Sequence, residues 1–233
     1  MNKKVLVVAA HPDDEILGCG GTIMNHIASK DTVNVFIVAE GVTSRNAIIG
    51  GVASQNEVFE LRKTAERVSK MMGVTNIEFG ELPDNRLDQL PLIEVVKILE
   101  AQVERYKPDV IYTHHGGDLN IDHRLVHEAV MTASRPQPGC GIGKILFFET
   151  PSSTEWRSQA GNHFQPNWYS DISRVLEKKI EVLALYESEM RPWPHARSIR
   201  SVEAMARYRG ATVGLDAVEA FMLGRVIQLF RDD

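Results

Sequence analysis

The chain has 233 residues, of which 43% are hydrophobic and 24% are charged, and its formal net charge at pH 7 is −5. This ordinary globular composition predicts one domain over residues 1–233, with a core over 1–150 and a carboxyl-terminal elaboration over 151–233, and it gives no electrostatic reason to expect nucleic acid or an anionic membrane as a partner. Because no stretch approaches the ~18 apolar residues of a membrane span, the start does not resemble a signal peptide and two cysteines make no disulfide framework, we expect a cytoplasmic protein that acts on a small molecule.

The first half of the chain predicts strands that alternate with helices. An apolar, β-branched run ends at Ala10, and apolar residues then recur at helical spacing to about residue 30. Further predicted elements are strands over 33–39, 77–79 and 110–113 and helices over 58–73 and 92–106. This alternation favours an α/β fold of the Rossmann-like, three-layer αβα type, with a mostly parallel sheet. In such folds strands one and four are often neighbours.

The second half predicts a fifth strand over 144–149 and helices near 173–189, 201–209 and 216–231. Three tryptophans between and beside these elements form either a sugar-stacking wall or core and subunit contacts; they are Trp156, Trp168 and Trp193. The basic tract over 191–197 is either a substrate lid or subunit arm, or a solvated loop. Because this third of the chain is apolar and contains the tryptophans, we expect a homo-oligomer.

A polar cluster stands where the first predicted strand ends, with the sequence His11-Pro12-Asp13-Asp14-Glu15. Ligands of α/β proteins bind at this end of the strands, so the cluster is a candidate site. The alternative is structural, because proline suits a first helical turn and carboxylates complement a helix N-terminus. His11 has no role in that alternative.

A second polar cluster, over 114–123, follows the fourth strand as the first cluster follows the first strand. If those strands are neighbours, His11, Asp14 and one histidine of the second cluster converge in the crevice. Two imidazoles and one carboxylate suit zinc, and three protein ligands leave one position open for water, as catalysis requires. Asp13 cannot easily share the direction of Asp14, so one carboxylate can bind metal while the other accepts a proton.

The two clusters together resemble the zinc-dependent N-acetylglucosaminyl deacetylases of the LmbE/PIG-L family. The resemblance rests on Ala10-His11-Pro12-Asp13-Asp14-Glu15 followed by Gly20-Gly21, and on Asp118-Leu119-Asn120-Ile121-Asp122-His123-Arg124, and it covers residues 5 to about 132. It implies hydrolysis of an N-acetyl group from an amino-sugar-containing substrate. It also implies the roles of six residues and a cofactor: one Zn²⁺ per chain bound by His11, Asp14 and His123, with Asp13 as general base, and substrate binding by Arg62 and Asp84.

The chain departs from the family pattern at Asn120, where many members have a histidine. An asparagine side chain donates a hydrogen bond to an oxyanion but cannot pass on a proton, so either Asp13 or another histidine must protonate the leaving amine. The candidate histidines are His114, His115 and His195. His127 is a rival metal ligand, because it lies one helical turn after His123.

Two other interpretations of function stay open. A metallophosphoesterase also uses aspartate and histidine clusters at strand ends, but with two metal ions. A sugar- or nucleotide-binding homologue without catalysis is the third hypothesis, and Asn120 favours it. Arg62 and Asp84 have bland alternatives of their own, as a surface salt bridge and a turn residue.

Overall fold

The structure is a computed structural model that describes residues 2–42, 52–157 and 162–228. Its described strands form one sheet in the order β3-β2-β1-β4-β5-β7-β6, in which β1 to β5 are parallel and β7 runs antiparallel to β5 and β6. The strands are β1 (Lys4–Ala9), β2 (Thr32–Ala39), β3 (Asn76–Leu82), β4 (Val110–His114), β5 (Lys144–Phe148), β6 (Trp168–Asp171) and β7 (Val218–Val226). The predicted mostly parallel sheet is confirmed.

Helices cover both faces of the sheet. They are α1 (Asp14–Ala28), α2 (Val52–Met72), α3 (Leu92–Tyr106), α4 (Ile121–Ala133), α5 (Leu176–Leu183) and α6 (Ile199–Ala211). Alternate residues of β1 enter two separate apolar clusters, Val5 and Val7 on the side of α1 and α2, Leu6 and Val8 on the side of α3 and α4. This period of two makes β1 a central strand buried on both faces, as its uninterrupted apolar run predicts. Within the described part of the chain, no helix combines the length and apolarity needed to span a membrane.

Strands β1 and β4 are direct neighbours in parallel register, which pairs Val5 with Val110 and Val7 with Tyr112. The turn after β1 and the loop after β4 therefore leave the sheet at the same edge. This adjacency, which the sequence predicts from fold type, brings the two polar clusters together across more than 100 residues of chain.

The predicted helix over 216–231 is wrong, because the described part of that segment forms β7. The segment contains Glu, Ala, Met and Leu, which favour a helix when considered locally. In the folded chain it pairs with strands on both sides and buries Phe221 completely. Tertiary pairing thus overrides local propensity. β6, which begins at Trp168, has no counterpart among the predicted strands.

Boundaries of other elements also differ from the predictions. α2 begins at Val52, six residues before the predicted start, and α5 ends at Leu183 rather than near 189. Gly18 of α1 packs closely against the sheet, since a Cβ at this position would overlap the ring of Phe148 in β5. This contact explains the glycine at position 18.

Candidate metal centre

The turn between β1 and α1 is held in an unusual backbone conformation. Asp13 has φ 108°, a value that costs energy for a residue with a Cβ and is often found at functional sites. Its backbone N–H donates to Glu15 Oε2 at 2.9 Å, and Glu15 Oε1 accepts from the Tyr186 hydroxyl at 2.7 Å. Burial raises the pKa of Glu15 to about 7. Glu15 therefore supports the turn, and the carboxylates of Asp13 and Asp14 point to different partners.

Three buried side chains converge beyond this turn. Asp14 Oδ2 lies 3.4 Å from His11 Nδ1 and 3.3 Å from His123 Nε2. One ligand atom from each of the three residues lies within 4.8 Å of the others. The structure thus brings together His11 after β1, Asp14 at the start of α1 and His123 in the first turn of α4, at the edge where the sequence predicts a site.

The second nitrogen of each histidine faces another carboxylate. His11 Nε2 lies 3.1 Å from Asp122 Oδ2 and 3.2 Å from Asp84 Oδ1, while His123 Nδ1 lies 3.1 Å from Asp118 Oδ1. A carboxylate in this position fixes the tautomer of a metal-binding histidine and raises its basicity. The nitrogens that face Asp14 are the ones that a cation bound with Asp14 would use. His11, Asp84 and Asp122 form a second group whose ligand atoms also lie within 4.8 Å of one another.

Hydrogen bonds hold these outer carboxylates in turn. Asp118 accepts from Thr154 Oγ1 at 2.6 Å and from Ser153 Oγ. Asp122 accepts from the backbone N–H groups of Asn85 at 2.7 Å and Leu87 at 3.1 Å, which ties the loop after β3 to the centre. Asp118 and Asp122 both lie in the second motif, but the sequence alone indicates no role for either of them.

The donor set fits a divalent cation such as zinc. Asp14 Oδ1 is buried and accepts no hydrogen bond from the described residues, and His123 Nδ1 is too poorly aligned with Asp118 to form one. Burial lowers the pKa of His123, but the charges of Asp14 and Asp118 outweigh it and raise that pKa to about 9. Burial also raises the pKa of Asp14, yet His123 and His114 hold it well below its usual range. When its imidazoles are neutral, as metal binding requires, the centre therefore carries a net negative charge from its carboxylates. This charge favours a bound cation.

His114 and His127 have other partners. His114 Nε2 accepts the backbone N–H of Ala10 at 2.8 Å, so its proton lies on Nδ1, and burial lowers its pKa well below the usual value. Its ring stacks on that of His123 with centroids 3.9 Å apart. His127 Nδ1 lies 2.9 Å from the His114 carbonyl oxygen, and its ring packs against Phe147. His127 is thus outside the group formed by His11, Asp14 and His123.

The two remaining proton-donor candidates lie elsewhere. His115 Nε2 donates to the Asn162 carbonyl oxygen at 3.1 Å. His195 Nδ1 accepts the backbone N–H of Arg197 at 3.0 Å, and its ring stands edge-on to Trp156. Neither has a contact with the three converging residues within the described part of the chain.

Asn120 caps helix α4. Its Oδ1 accepts the backbone N–H of Asp122 at 2.8 Å, and its own N–H donates to Asp118 Oδ1 at 2.9 Å. Because Oδ1 accepts, the amide orientation is defined, and Nδ2 has no hydrogen bond to any described residue. The side chain therefore keeps one donor available at the start of α4.

The two predicted substrate residues occupy different environments. Asp84 is 2% exposed and lies against His11, inside the centre rather than at its rim. Arg62, on α2, is paired with Glu81 at 2.8 Å and stacks on Phe79, with 43% of its side chain exposed. Arg62 lines a cavity of about 240 Å³ that also borders Pro12 of the first motif.

Arg197 reaches the centre, although sequence reasoning missed it. Its Nη1 donates to Asp13 Oδ2 at 3.0 Å from a position 184 residues later in the chain. The only sequence signal is its membership of the basic tract over 191–197, which therefore contains a residue of the centre.

The three tryptophans are exposed at the surface, which excludes the core alternative for them. The exposed fractions are 51% for Trp156, 37% for Trp168 and 54% for Trp193. A role in stacking sugars or in subunit contacts stays a prediction.

Several known proteins are similar to this chain in sequence or in fold. The chain matches the sequence profile described as PIG-L, GlcNAc-PI de-N-acetylase, over residues 6–134. It is 31% identical to the uncharacterized deacetylase YaiS of Escherichia coli over 175 residues, 73% of this chain and 82% of that protein. It is 28% identical to the diacetylchitobiose deacetylase of Thermococcus kodakarensis over 196 residues, 80% and 70% of the two chains. Its fold matches N,N'-diacetylchitobiose deacetylase from Pyrococcus horikoshii with a TM-score of 0.77 at 20% identity, covering 95% of this chain and 83% of that one.

Proposed function

Since the chain belongs to the PIG-L family, also called LmbE, we propose that it is a zinc-dependent deacetylase that removes an acetyl group from the nitrogen of an amino-sugar-containing substrate. The relatives named as deacetylases support the reaction class, and diacetylchitobiose deacetylase supports the substrate class. The observation that carries the proposal is the convergence of His11, Asp14 and His123 beside the buried carboxylate of Asp13.

In this proposal, His11 Nδ1, Asp14 and His123 Nε2 hold one zinc ion per chain. When bound, zinc supplies a Lewis acid that polarises the substrate carbonyl and activates water. Asp118 and Asp122 hold the imidazoles from the outside, so the ligand nitrogens keep their orientation.

Asp13 acts as general base. Burial raises the pKa of Asp13 well above its usual range, and the Arg197 guanidinium opposes this shift. Asp13 takes a proton from the attacking water through Oδ1, because Oδ2 accepts from Arg197. The protonated Asp13 then gives that proton to the leaving amine, since His114, His115 and His195 are each bonded to other groups.

Other polar groups stabilise and orient the substrate. Asn120 Nδ2 donates to the oxyanion that forms at the amide carbon, and Oδ1 keeps the side chain in place by capping α4. Arg62 binds sugar hydroxyls, whereas the position of Asp84, buried against His11, gives no support to the substrate role expected of it. The support for Arg62 is the cavity that it lines beside Pro12.

The test is product formation from a panel of N-acetylglucosamine, diacetylchitobiose and N-acetylglucosaminides. We expect acetate and primary amine in equal amounts with added zinc, and neither product with a chelator. A metal content of two per chain together with release of phosphate from phosphomonoesters would instead establish a metallophosphoesterase. Sugar binding without any turnover in the zinc-loaded protein would establish the non-catalytic homologue.

Variants test the assigned roles. Asp13→Asn should lower kcat by ~100-fold or more while the zinc content stays at the wild-type level, because only proton transfer is lost. His11→Ala and His123→Ala should lose zinc, as elemental analysis measures. His127→Ala is the matched control, since it removes a partly buried histidine of the same helix outside the centre, and it should retain zinc. Full zinc in the His123→Ala protein would refute the ligand set.

A further inference from the structure

Arg197 is the last residue of the loop over 191–197, and a backbone hydrogen bond between its two end residues closes this loop. Its carbonyl oxygen accepts the N–H of Arg191 at 3.1 Å, and its N–H donates to His195 Nδ1 at 3.0 Å. The next residue, Ser198, is the N-cap of α6 and accepts the backbone N–H of Ser201. The backbone of Arg197 is therefore fixed on both sides, by a closed loop and by the start of a helix.

The guanidinium group connects three segments of the chain. Nη1 donates to Asp13 Oδ2 at 3.0 Å and lies 3.8 Å from Glu189 Oε2, and Nε donates to Ser152 Oγ at 3.0 Å. The side chain of Arg197 is 19% exposed, and those of Asp13 and Glu189 are each 2% exposed. An arginine–carboxylate contact so far from bulk water is directional and weakly screened.

The contact occupies one oxygen of the Asp13 carboxylate. No described residue donates a hydrogen bond to Oδ1, while the backbone N–H of Asp13 is held by Glu15 Oε2 at 2.9 Å. Asp13 is thus anchored at its main chain by Glu15 and at Oδ2 by Arg197, and Oδ1 is left for a substrate or water.

We infer that Arg197 is a positioning residue for Asp13, which fixes the rotamer of this carboxylate so that Oδ1 faces the reacting water. The inference rests on the proposed function of Asp13 as general base. It also assigns a function to the basic tract over 191–197, which places the guanidinium group of Arg197 beside Asp13. If Arg197 only joined segments of the chain, its contacts with Ser152 and Glu189 would be enough, and the contact with Asp13 would not be needed.

The experiment compares Arg197→Ala and Arg197→Lys with Arg200→Ala in the zinc-loaded full-length protein. Arg200 is the matched control, because it is exposed, follows Arg197 by three residues and stacks on Trp193. We expect kcat of Arg197→Ala to fall ~100-fold, as for other small displacements of catalytic groups, with KM and zinc content unchanged. Arg197→Lys should be intermediate, since lysine keeps the charge but not the planar donor geometry. Arg200→Ala should equal the wild type.

Chemical rescue separates positioning from a structural role. Guanidinium ion, added below denaturing concentrations, should restore part of the kcat of Arg197→Ala and nothing to Asp13→Ala. If both Arg197 variants keep the wild-type kcat, or if the loss lies entirely in KM, the inference is overturned. If Arg197→Ala does not fold, Arg197→Lys decides by the same kcat and KM criteria.

A readout that needs no activity keeps this inference distinct from the proposed function. Crystal structures of the wild type and Arg197→Ala should differ in the rotamer of the Asp13 carboxylate, with the Glu15 contact to the backbone preserved. An unchanged Asp13 rotamer overturns the positioning role even if the protein proves inactive on every amino sugar. A wild-type protein without deacetylase activity, but with a displaced Asp13 in the variant, overturns the proposed function alone.

Discussion

The two histidines of the centre differ in which nitrogen faces Asp14. His11 offers Nδ1 and His123 offers Nε2, because Asp122 engages Nε2 of the first and Asp118 engages Nδ1 of the second. In the proposed zinc site, the ligand nitrogens are therefore oriented by carboxylates that are not themselves proposed as ligands. Such outer partners typically change metal affinity by 10–100-fold, although they bind no metal themselves.

Asp118→Asn should weaken zinc binding by about 10–100-fold without abolishing it, because the neutral amide no longer supplies the negative charge that faces His123 Nδ1 and raises the basicity of the imidazole. Competition with a chromogenic chelator measures the Kd. The matched control is Asp88→Asn, an exposed aspartate in the loop after β3, which should leave the Kd at the wild-type value. An unaltered Kd in Asp118→Asn would show that His123 needs no outer carboxylate.

At the level of elements, helix α1 depends on β7, the strand for which local propensity predicts a helix. The helix is interrupted at Cys19, with φ −148° and ψ 22°. Glu219 of β7 accepts the N–H groups of Gly21 at 2.8 Å and Thr22 at 2.7 Å, and so caps the second half of the helix. Lys179 of α5 donates to Glu219 at 2.7 Å and to a carbonyl oxygen of the first half. A buried ion pair thus satisfies the interrupted backbone.

Glu219→Gln should destabilise the fold by about 3–5 kcal/mol, because it leaves the buried ammonium of Lys179 without a carboxylate. Urea unfolding of the metal-free protein measures this change. Lys178→Gln is the matched control on the same helix. Its ion pair with Glu181 is about half exposed, so its loss should cost ~1 kcal/mol or less. Equal effects of the two substitutions would contradict a structural role for the buried pair.

At the level of the whole molecule, zinc binding is expected to stabilise the fold because its ligands come from distant segments. His11 and Asp14 follow β1, and His123 lies in α4 after β4, so the complete set exists only in the folded chain. A ligand at 100 times its Kd adds about 2.7 kcal/mol to the free energy of unfolding. For a domain of this size that corresponds to a rise in Tm of ~5–10 °C.

Thermal unfolding with zinc and with a chelator tests this linkage. The zinc-dependent rise in Tm should disappear in His123→Ala and persist in His127→Ala, even if the latter lowers the Tm of the metal-free protein. A full rise in His123→Ala would mean that zinc is bound elsewhere in the chain.

The placement of the carboxyl-terminal third also belongs to this scale. β6 and β7 extend the same sheet as β1 to β5, and Arg197 and Glu219 reach the centre and α1 respectively. These contacts join the described carboxyl-terminal segments to the sheet, and the single domain over 1–233 stays a prediction. The homo-oligomer stays a prediction. The exposed side chains of Trp156 and Trp193 are candidate subunit contacts for it.

Local patterns were sufficient for β1 to β5, for α3 and for the first motif, because hydrophobic period and turn chemistry act between near neighbours in the chain. The motif pair was likewise sufficient to place His11, Asp14 and His123 at one edge of a parallel sheet. Contacts between distant segments decided the rest. β7 is a strand because two neighbouring strands pair with it, His127 lies outside the centre because its ring is bonded to the last residue of β4, and Arg197 meets Asp13 across 184 residues. No local pattern encodes such meetings, since they depend on the free energy of packing the whole chain.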